Sequence, residues 1–171
     1  MAVNPAANPK LGYNNVTDFV PITNIAAVPN VLVVTANFPA KDFKEFLALL
    51  KANPGKYSFG SSGTASIQHM VGELFQASTG TEFVHIPYRG AGPALQDLVA
   101  GQVDLMFDGL GSSAPHIKGG RIKAIAVASD KRAPGFPNIP TAAEQGLNYK
   151  VSTWYGLWAP KGTPPDVIAR M

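Results

Sequence analysis

The sequence predicts an α/β layer sandwich, with a mainly parallel sheet flanked by helices. Two observations carry this prediction. Short apolar runs alternate with amphipathic stretches along almost the whole chain, the pattern of buried strands with helices laid over them. Of the 171 residues, 46% are hydrophobic and only 15% charged, so the chain can bury a substantial core and is not disordered by composition.

The elements follow in order. Asn4 to Asn15 reads as loop and precedes one or two strands around Phe19 to Val34, of which Val31 to Thr35 is the most β-branched. After Pro39, the residues Phe43, Phe46, Leu47 and Leu50 recur at helical spacing until Asn53-Pro54-Gly55 stops them. Tyr57 to Gly60 is a short strand ending in Ser61-Ser62-Gly63-Thr64, and Ile67, Met70, Val71, Leu74 and Phe75 then mark one helix face. A strand over Phe83 to Ile86, the turn Pro87-Tyr88-Arg89-Gly90 and a helix from Pro93 to Ala100 come next. The strand Val103 to Phe107 runs into Asp108-Gly109-Leu110-Gly111-Ser112-Ser113, followed by a short helix at Ala114 to Lys118 and a strand at Ile122 to Ala128. Ser129 to Pro140, rich in proline and charge, reads as a surface excursion. A short helix near Ala142 to Gln145, an aromatic strand from Val151 to Trp158, and a helix opened by Pro164-Pro165 complete the series.

Composition excludes several function classes. With no cysteine, disulfides, zinc thiolate sites and cysteine nucleophiles are impossible. The 14 Lys+Arg against 11 Asp+Glu give a net charge of +3, but the cations are scattered. The densest group, Lys118, Arg121, Lys123, Lys131 and Arg132, lacks the interleaved aromatics that stack bases, so it reads as solvated surface and no nucleic-acid partner is expected. No apolar run approaches the roughly 18 to 20 residues of a membrane span. The start, Met1-Ala2-Val3-Asn4-Pro5, has no signal-peptide pattern. A phosphate-binding loop needs G-x-x-x-x-G-K-[ST], and Gly60 to Ile67 contains no lysine. His85 and His116 have no metal-pair spacing and His69 with Glu73 is a weak i, i+4 match, so neither a metal nor a cofactor is expected.

In an open parallel sheet ligands sit beyond the carboxyl ends of the strands, where loops feed helix N-termini. Three such loops are small and polar: Ser61 to Ser66, Tyr88 to Gly92, and Asp108 to Ser113. Unpaired N–H groups and the positive end of each helix dipole favour an anion there, by about 0.3 to 1 kcal/mol per terminus. Helix capping alone also accounts for the serines and threonines. A different chemistry, a serine hydrolase using Ser62, His69 and Asp108, is open as the alternative, although Gly60-Ser61-Ser62-Gly63-Thr64 is one residue out of the G-x-S-x-G pattern. Arg89 either clamps a carboxylate or points to solvent. Trp154, Tyr155 and Trp158 either pack between layers or border a ligand.

The order Tyr57-Ser58-Phe59-Gly60-Ser61-Ser62-Gly63-Thr64, His69-Met70-Val71-Gly72-Glu73-Leu74-Phe75, and His85-Ile86-Pro87-Tyr88-Arg89-Gly90-Ala91-Gly92-Pro93-Ala94 resembles the solute-binding receptors of tripartite tricarboxylate transporters, the Bug family. The resemblance continues through Asp97 to Asp108, Pro115-His116-Ile117-Lys118, Ala126-Val127-Ala128-Ser129, Pro137-Asn138-Ile139-Pro140-Thr141, Glu144-Gln145-Gly146 and Tyr155 to Pro164. It implies a periplasmic receptor of the type II periplasmic-binding-protein architecture, with two α/β lobes closing over a small carboxylate, without catalysis, and with membrane components of the transporter as partners. Carried over, Val31 to Thr35 and Val151 to Leu157 are the crossing strands. Residues 36–152 are the second lobe, and 1–35 with 153–171 are crossing strands and part of the first. The implied ligand contacts are Ser61, Ser62, Gly63, Thr64, Ala65 and Ser66, with His69 behind them, then Tyr88, Gly90 and Ala91, and Asp108. Family members begin with a signal peptide and a first-lobe ligand loop and end with further first-lobe helices, so this chain is expected to be truncated at both ends. Apolar surface left uncovered near Phe19 to Val34 and Trp154 to Trp158 makes a homodimer an expectation.

Overall fold

The computed structural model describes residues 5, 8 and 10–171, so part of the loop expected at Asn4 to Asn15 lies outside the described residues. Its elements are β1 (Phe19–Thr35), α1 (Phe43–Ala52), β2 (Ser58–Ser61), α2 (Ile67–Thr79), β3 (Val84–Pro87), α3 (Ala91–Ala100), β4 (Leu105–Gly109), α4 (Leu110–Lys118), β5 (Ile122–Val127), a 3-10 turn (Ala143–Gln145), β6 (Ser152–Pro160) and α5 (Pro165–Ala169). The chain forms two compact units, Val28–Ser152 and Met1–Ala27 with Thr153–Met171. Among the described residues no helix is long and apolar enough to cross a membrane.

The larger unit is built on a sheet ordered β3-β2-β4-β1-β5, with β6 pairing β1 off this path. Strands β2, β3 and β4 are parallel, whereas β1 lies antiparallel between β4 and β5, with Val31 opposite Asp108 and Val127. The expectation of a mainly parallel sheet is met except at this interior strand. The larger unit accordingly takes in Val28–Thr35, N-terminal to the boundary expected at 36, because that stretch has sheet neighbours on both sides.

A strand stretch buried on both faces needs apolar residues at every position, and Val31–Val34 of β1 and Leu105–Phe107 of β4 supply them. Leu32 and Val34 join Phe59, Leu105 and Phe107 on the face covered by Phe43, Phe46 and Leu50 of α1 and Val71 and Phe75 of α2. Val31, Val33 and Met106 join the opposite face under Ala94, Leu95 and Leu98 of α3 and Leu110 of α4. The exposed apolar surface expected around Phe19 to Val34 is therefore corrected in part. Val31 to Val34 are buried within the sheet, whereas Ile25 in that range, and Trp154 and Tyr155 in the second expected range, are exposed.

Local signals set the helix ends. Asp42 accepts the Glu45 N–H at 2.8 Å while Glu45 accepts the Lys41 N–H, a reciprocal cap that starts α1. The Ser66 hydroxyl caps α2 by accepting the His69 N–H, and Gly80, at φ 64°, ends it in the left-handed conformation that glycine adopts freely. The expected strand 103–107 begins two residues late. Asp104 is withdrawn as a staple, its carboxylate accepting both the N–H and the hydroxyl of Ser58. The helix expected at Ala114 starts at Leu110, since the Ser112 and Ser113 hydroxyls both fold back onto Asp108 and close its first turn.

The smaller unit comprises the N-terminal part of β1, most of β6, and α5. Tyr13 packs edge-on to Phe19 at 5.5 Å, Trp154 lies 5.4 Å from Trp158, and the Lys161 N–H donates to the Asp18 carbonyl.

Candidate functional site

The adjacent order β3-β2-β4 brings the carboxyl ends of three parallel strands to one end of the larger unit. Ser61 ends β2 and is fully buried, and Ser62 to Ser66 form the loop into α2. The neighbouring loop touches it directly. The Tyr88 N–H donates to the Ser61 carbonyl at 3.0 Å, and a Cβ on Gly63 would lie 3.3 Å from the Tyr88 carbonyl oxygen. Gly63 also sits at φ 130°, which an L side chain rarely adopts. Gly90 is the N-cap of α3 and Ala91 its first residue, so these predicted residues open the second helix beside the first.

The loop between β2 and α2 holds most of its own amides. The Ser62 N–H donates to Gln68 Oε1 at 2.6 Å, Gly63 N–H to Ser61 Oγ, Ala65 N–H to His69 Nδ1, and Ser66 N–H to the Gly63 carbonyl. The expectation that the Ser62 to Ser66 amides face an anion is thereby narrowed. Among the described residues, the N–H groups of Thr64, Ile67 and Gln68 have no hydrogen-bond partner, nor do those of Gly90, Ala91 and Gly92 at the start of α3, where no side chain caps the helix. The hydroxyls of Ser62 and Thr64 are likewise uncommitted among the described residues. Two long helices thus present open amide clusters and the positive ends of their dipoles.

The third N-terminus differs. Asp108 is 1% exposed, and its carboxylate accepts from Gln68 Nε2 at 2.5 Å and from the Ser112 and Ser113 hydroxyls at 2.6 and 2.7 Å. The positive end of α4 already faces a negative group that precedes it in the chain. Asp108 is therefore a buried support whose carboxylate is committed to internal partners. The Tyr88 hydroxyl is committed as well. It donates to Asp97 of α3 at 2.7 Å, and burial, followed by that bond and the carboxylate charge, pushes its pKa up to about 12.

His69 stacks on His85 with ring centroids 3.9 Å apart and planes 11° apart, and His85 stacks in turn on Phe59 at 4.7 Å. Because the Ala65 N–H donates into His69 Nδ1, the His69 ring proton sits on Nε2, 3.4 Å from Glu73. His85 Nε2 lies 2.6 Å from the Ser61 hydroxyl. Its pKa is lowered, first by burial and then by the repulsion of His69 when that ring is also protonated, with Glu73 opposing. The hydrolase arrangement is not assembled. His69 bonds to Ala65 and Glu73, Asp108 bonds to Gln68 and two serines, and no relay joins Ser62, His69 and Asp108. Ser61 does meet a histidine, but Ser61 is out of reach of any substrate. Arg89 is exposed, with no ion pair or hydrogen bond among the described residues.

Gln68 is the residue that sequence reasoning missed. Its signal was legible, because with Val71, Gly72 and Phe75 it occupies the i, i+3, i+4, i+7 stripe that α2 buries, and an amide on such a stripe needs a polar partner. A hollow of about 320 Å³ at the other end of the sheet, bordered by Tyr57, Gly101 and Asp104, contains none of the predicted residues.

The whole chain, residues 1–171, matches the tripartite tricarboxylate transporter family receptor. A protein from the tcbD-tcbE intergenic region of Pseudomonas sp. (strain P51) is 42% identical over 95% of this chain and 49% of its own length. A solved periplasmic transporter aligns over 99% of this chain and 57% of its own at a TM-score of 0.95 and 51% identity. MatC from Rhodopseudomonas palustris, solved with bound malate, aligns over 98% of this chain and 57% of its own at 0.91 and 34% identity. The chain spans about half the length of these relatives. The α/β layers are those of a type II periplasmic binding protein.

Proposed function

The chain belongs to the tripartite tricarboxylate transporter receptor family, and from that premise we propose that it binds a small carboxylate, without catalysis, as the solute receptor of such a transporter. The ligand class is a di- or tricarboxylate or an amino-acid-like anion. One observation carries the reading: the open amide clusters at the starts of α2 and α3, at adjacent strand ends, are donor-rich and free of any acidic side chain of their own. Malate bound to MatC supports the same class.

In this reading Thr64, Ile67 and Gln68 offer backbone N–H groups to one carboxylate, with the Ser62 and Thr64 hydroxyls beside them, and Gly90 to Gly92 offer theirs to the same ligand. Ser61, Gly63, Ala65, Ser66 and His69 shape and hold the loop. Residues 36–152 act as the second lobe of a periplasmic receptor, and 1–35 and 153–171 as crossing strands and part of the first. The partners are the carboxylate and the membrane components of the transporter. Exposed Ile25, Trp154 and Tyr155 make a homodimer of this chain the expected assembly, and light scattering that finds a monomer at high concentration removes that part.

A receptor of micromolar affinity has about 8 kcal/mol of binding free energy, so one lobe supplying half of it binds only at about millimolar strength. Titration of the chain with malate, longer dicarboxylates and an amino acid, followed by NMR, should move the Thr64, Ile67 and Gly90 amide signals. Silence across that panel, with shifts from sugars or cations instead, overturns the proposal.

A further inference from the structure

We propose that Gln68 is the positioning residue of this site, holding the Ser62 peptide by a buried amide bridge to Asp108; this rests on the carboxylate reading above. The bridge is directional. Gln68 Nε2 donates to Asp108 Oδ1 at 2.5 Å while Gln68 Oε1 accepts the Ser62 N–H at 2.6 Å. The reverse orientation would set oxygen against carboxylate and N–H against N–H, so the surroundings admit one rotamer of the amide. The second Asp108 oxygen accepts both the Ser112 and Ser113 hydroxyls. One chain of hydrogen bonds therefore ties the loop after β2 to the end of β4 and the first turn of α4.

All members of this chain but Ser62 and Ser112 are buried, Gln68 to 5% and Asp108 to 1% exposure. A low-dielectric setting makes such a network strong when complete and costly when broken. Its consequence for the site is geometric. With the Ser62 N–H turned inward, Thr64 provides the first uncommitted amide of the loop, and Gln68 itself contributes a backbone N–H to the open cluster while its side chain fixes the loop from below. Only an amide can do this, since a carboxylate in its place would face Asp108 as a second buried negative charge.

The test exchanges the two chemistries. Q68E, D108N and Q68E/D108N are compared with the parent chain by amide hydrogen exchange at Ser62 and by NMR titration with malate. In the double variant the carboxylate moved to position 68 accepts from the Ser62 N–H and from the side-chain NH2 now at position 108. The amide oxygen at 108 accepts the two serine hydroxyls, so every bond keeps a donor and an acceptor. We expect Q68E to lose protection at Ser62 and to weaken malate binding about tenfold or more, and the swap to return both to within about threefold. Equal binding and exchange in Q68E, or a folded swap no better than Q68E, overturns the proposal. If Q68E does not fold, Gln68→Met, which keeps the length and the helix propensity, is read instead, and retained Ser62 protection in it also overturns the proposal. A parent chain silent to malate and to the other carboxylates, yet with Ser62 protection dependent on Gln68, rejects the carboxylate reading and upholds the positioning of the loop.

Discussion

Gly72→Ala tests whether the α2–β2 contact beneath the site is as tight as its geometry says. A Cβ built on Gly72 would lie 2.5, 2.7 and 3.1 Å from three Phe59 ring atoms, against the roughly 3.5 to 4.0 Å of a relaxed carbon contact. The ring must therefore retreat by about 1 Å. It has nowhere to go. Phe59 is fully buried, meets Phe83 edge-on at 5.0 Å, and stacks on His85 at 4.7 Å. Overpacking of this kind costs about 1 to 3 kcal/mol. Replacing a helical glycine with alanine returns up to about 1 kcal/mol of helix propensity. The net expectation is a loss of about 1 to 2 kcal/mol, a fall in Tm of roughly 2 to 8 °C for a chain of this size. Gly92→Ala in α3 is the control, because a Cβ there meets nothing within 4 Å. Thermal melts followed by circular dichroism measure both. A Gly72→Ala chain as stable as the parent, with no shift of the His85 ring signals, would show that the helix stands off the sheet and that the contact is not tight.

Further expectations follow from the same packing. His85 has a lowered pKa when folded, so the unfolded chain binds the extra proton first. Stability is full above the unfolded value of 6.5 and declines as pH falls through it toward the depressed folded value. Denaturant midpoints measured across that range should show this slope, and His85→Asn should flatten it; an unchanged slope refutes the assignment. The Tyr149 hydroxyl donates to the Val71 carbonyl at 2.7 Å in a buried setting, so Tyr149→Phe should lose about 1 kcal/mol in a urea titration, and no loss would show that the bond is replaced by water. In a spectrophotometric titration Tyr88 should ionise near 12, and Asp97→Ala should bring its midpoint down by removing both the hydrogen bond and the neighbouring charge. A midpoint unmoved by that substitution leaves burial as the sole cause.

Most of the layer order was legible because apolar period and punctuation agree locally. Phe43, Phe46 and Leu50 mark the buried face of α1, and Asn53-Pro54-Gly55 marks its end. The direction of β1 was not legible, since strand polarity depends on which neighbours arrive later in the chain, and Val31 to Val34 read equally well in either sense. The early start of α4 was hidden for a related reason: Leu110 to Ser113 look like a glycine and serine loop until Asp108 supplies the acceptor that folds the two hydroxyls inward. At the candidate site the residue types were legible but their commitments were not. Ser61, Tyr88 and Asp108 are the polar groups expected of a ligand loop, yet each is used internally by a partner on another element, namely His85, Asp97 and Gln68.

The antiparallel placement of β1 bears on how the protein is made. Val31 to Val34, among the most apolar stretches of the chain, leaves the ribosome well before either of the strands that will flank it. Until Ile122–Val127 has been synthesised, a bare greasy ribbon waits with one side unmatched, and closing that long interval of chain is entropically slow. The nascent polypeptide thus carries an exposed sticky segment until β5 emerges, a natural target for a chaperone and a point at which premature self-association would begin.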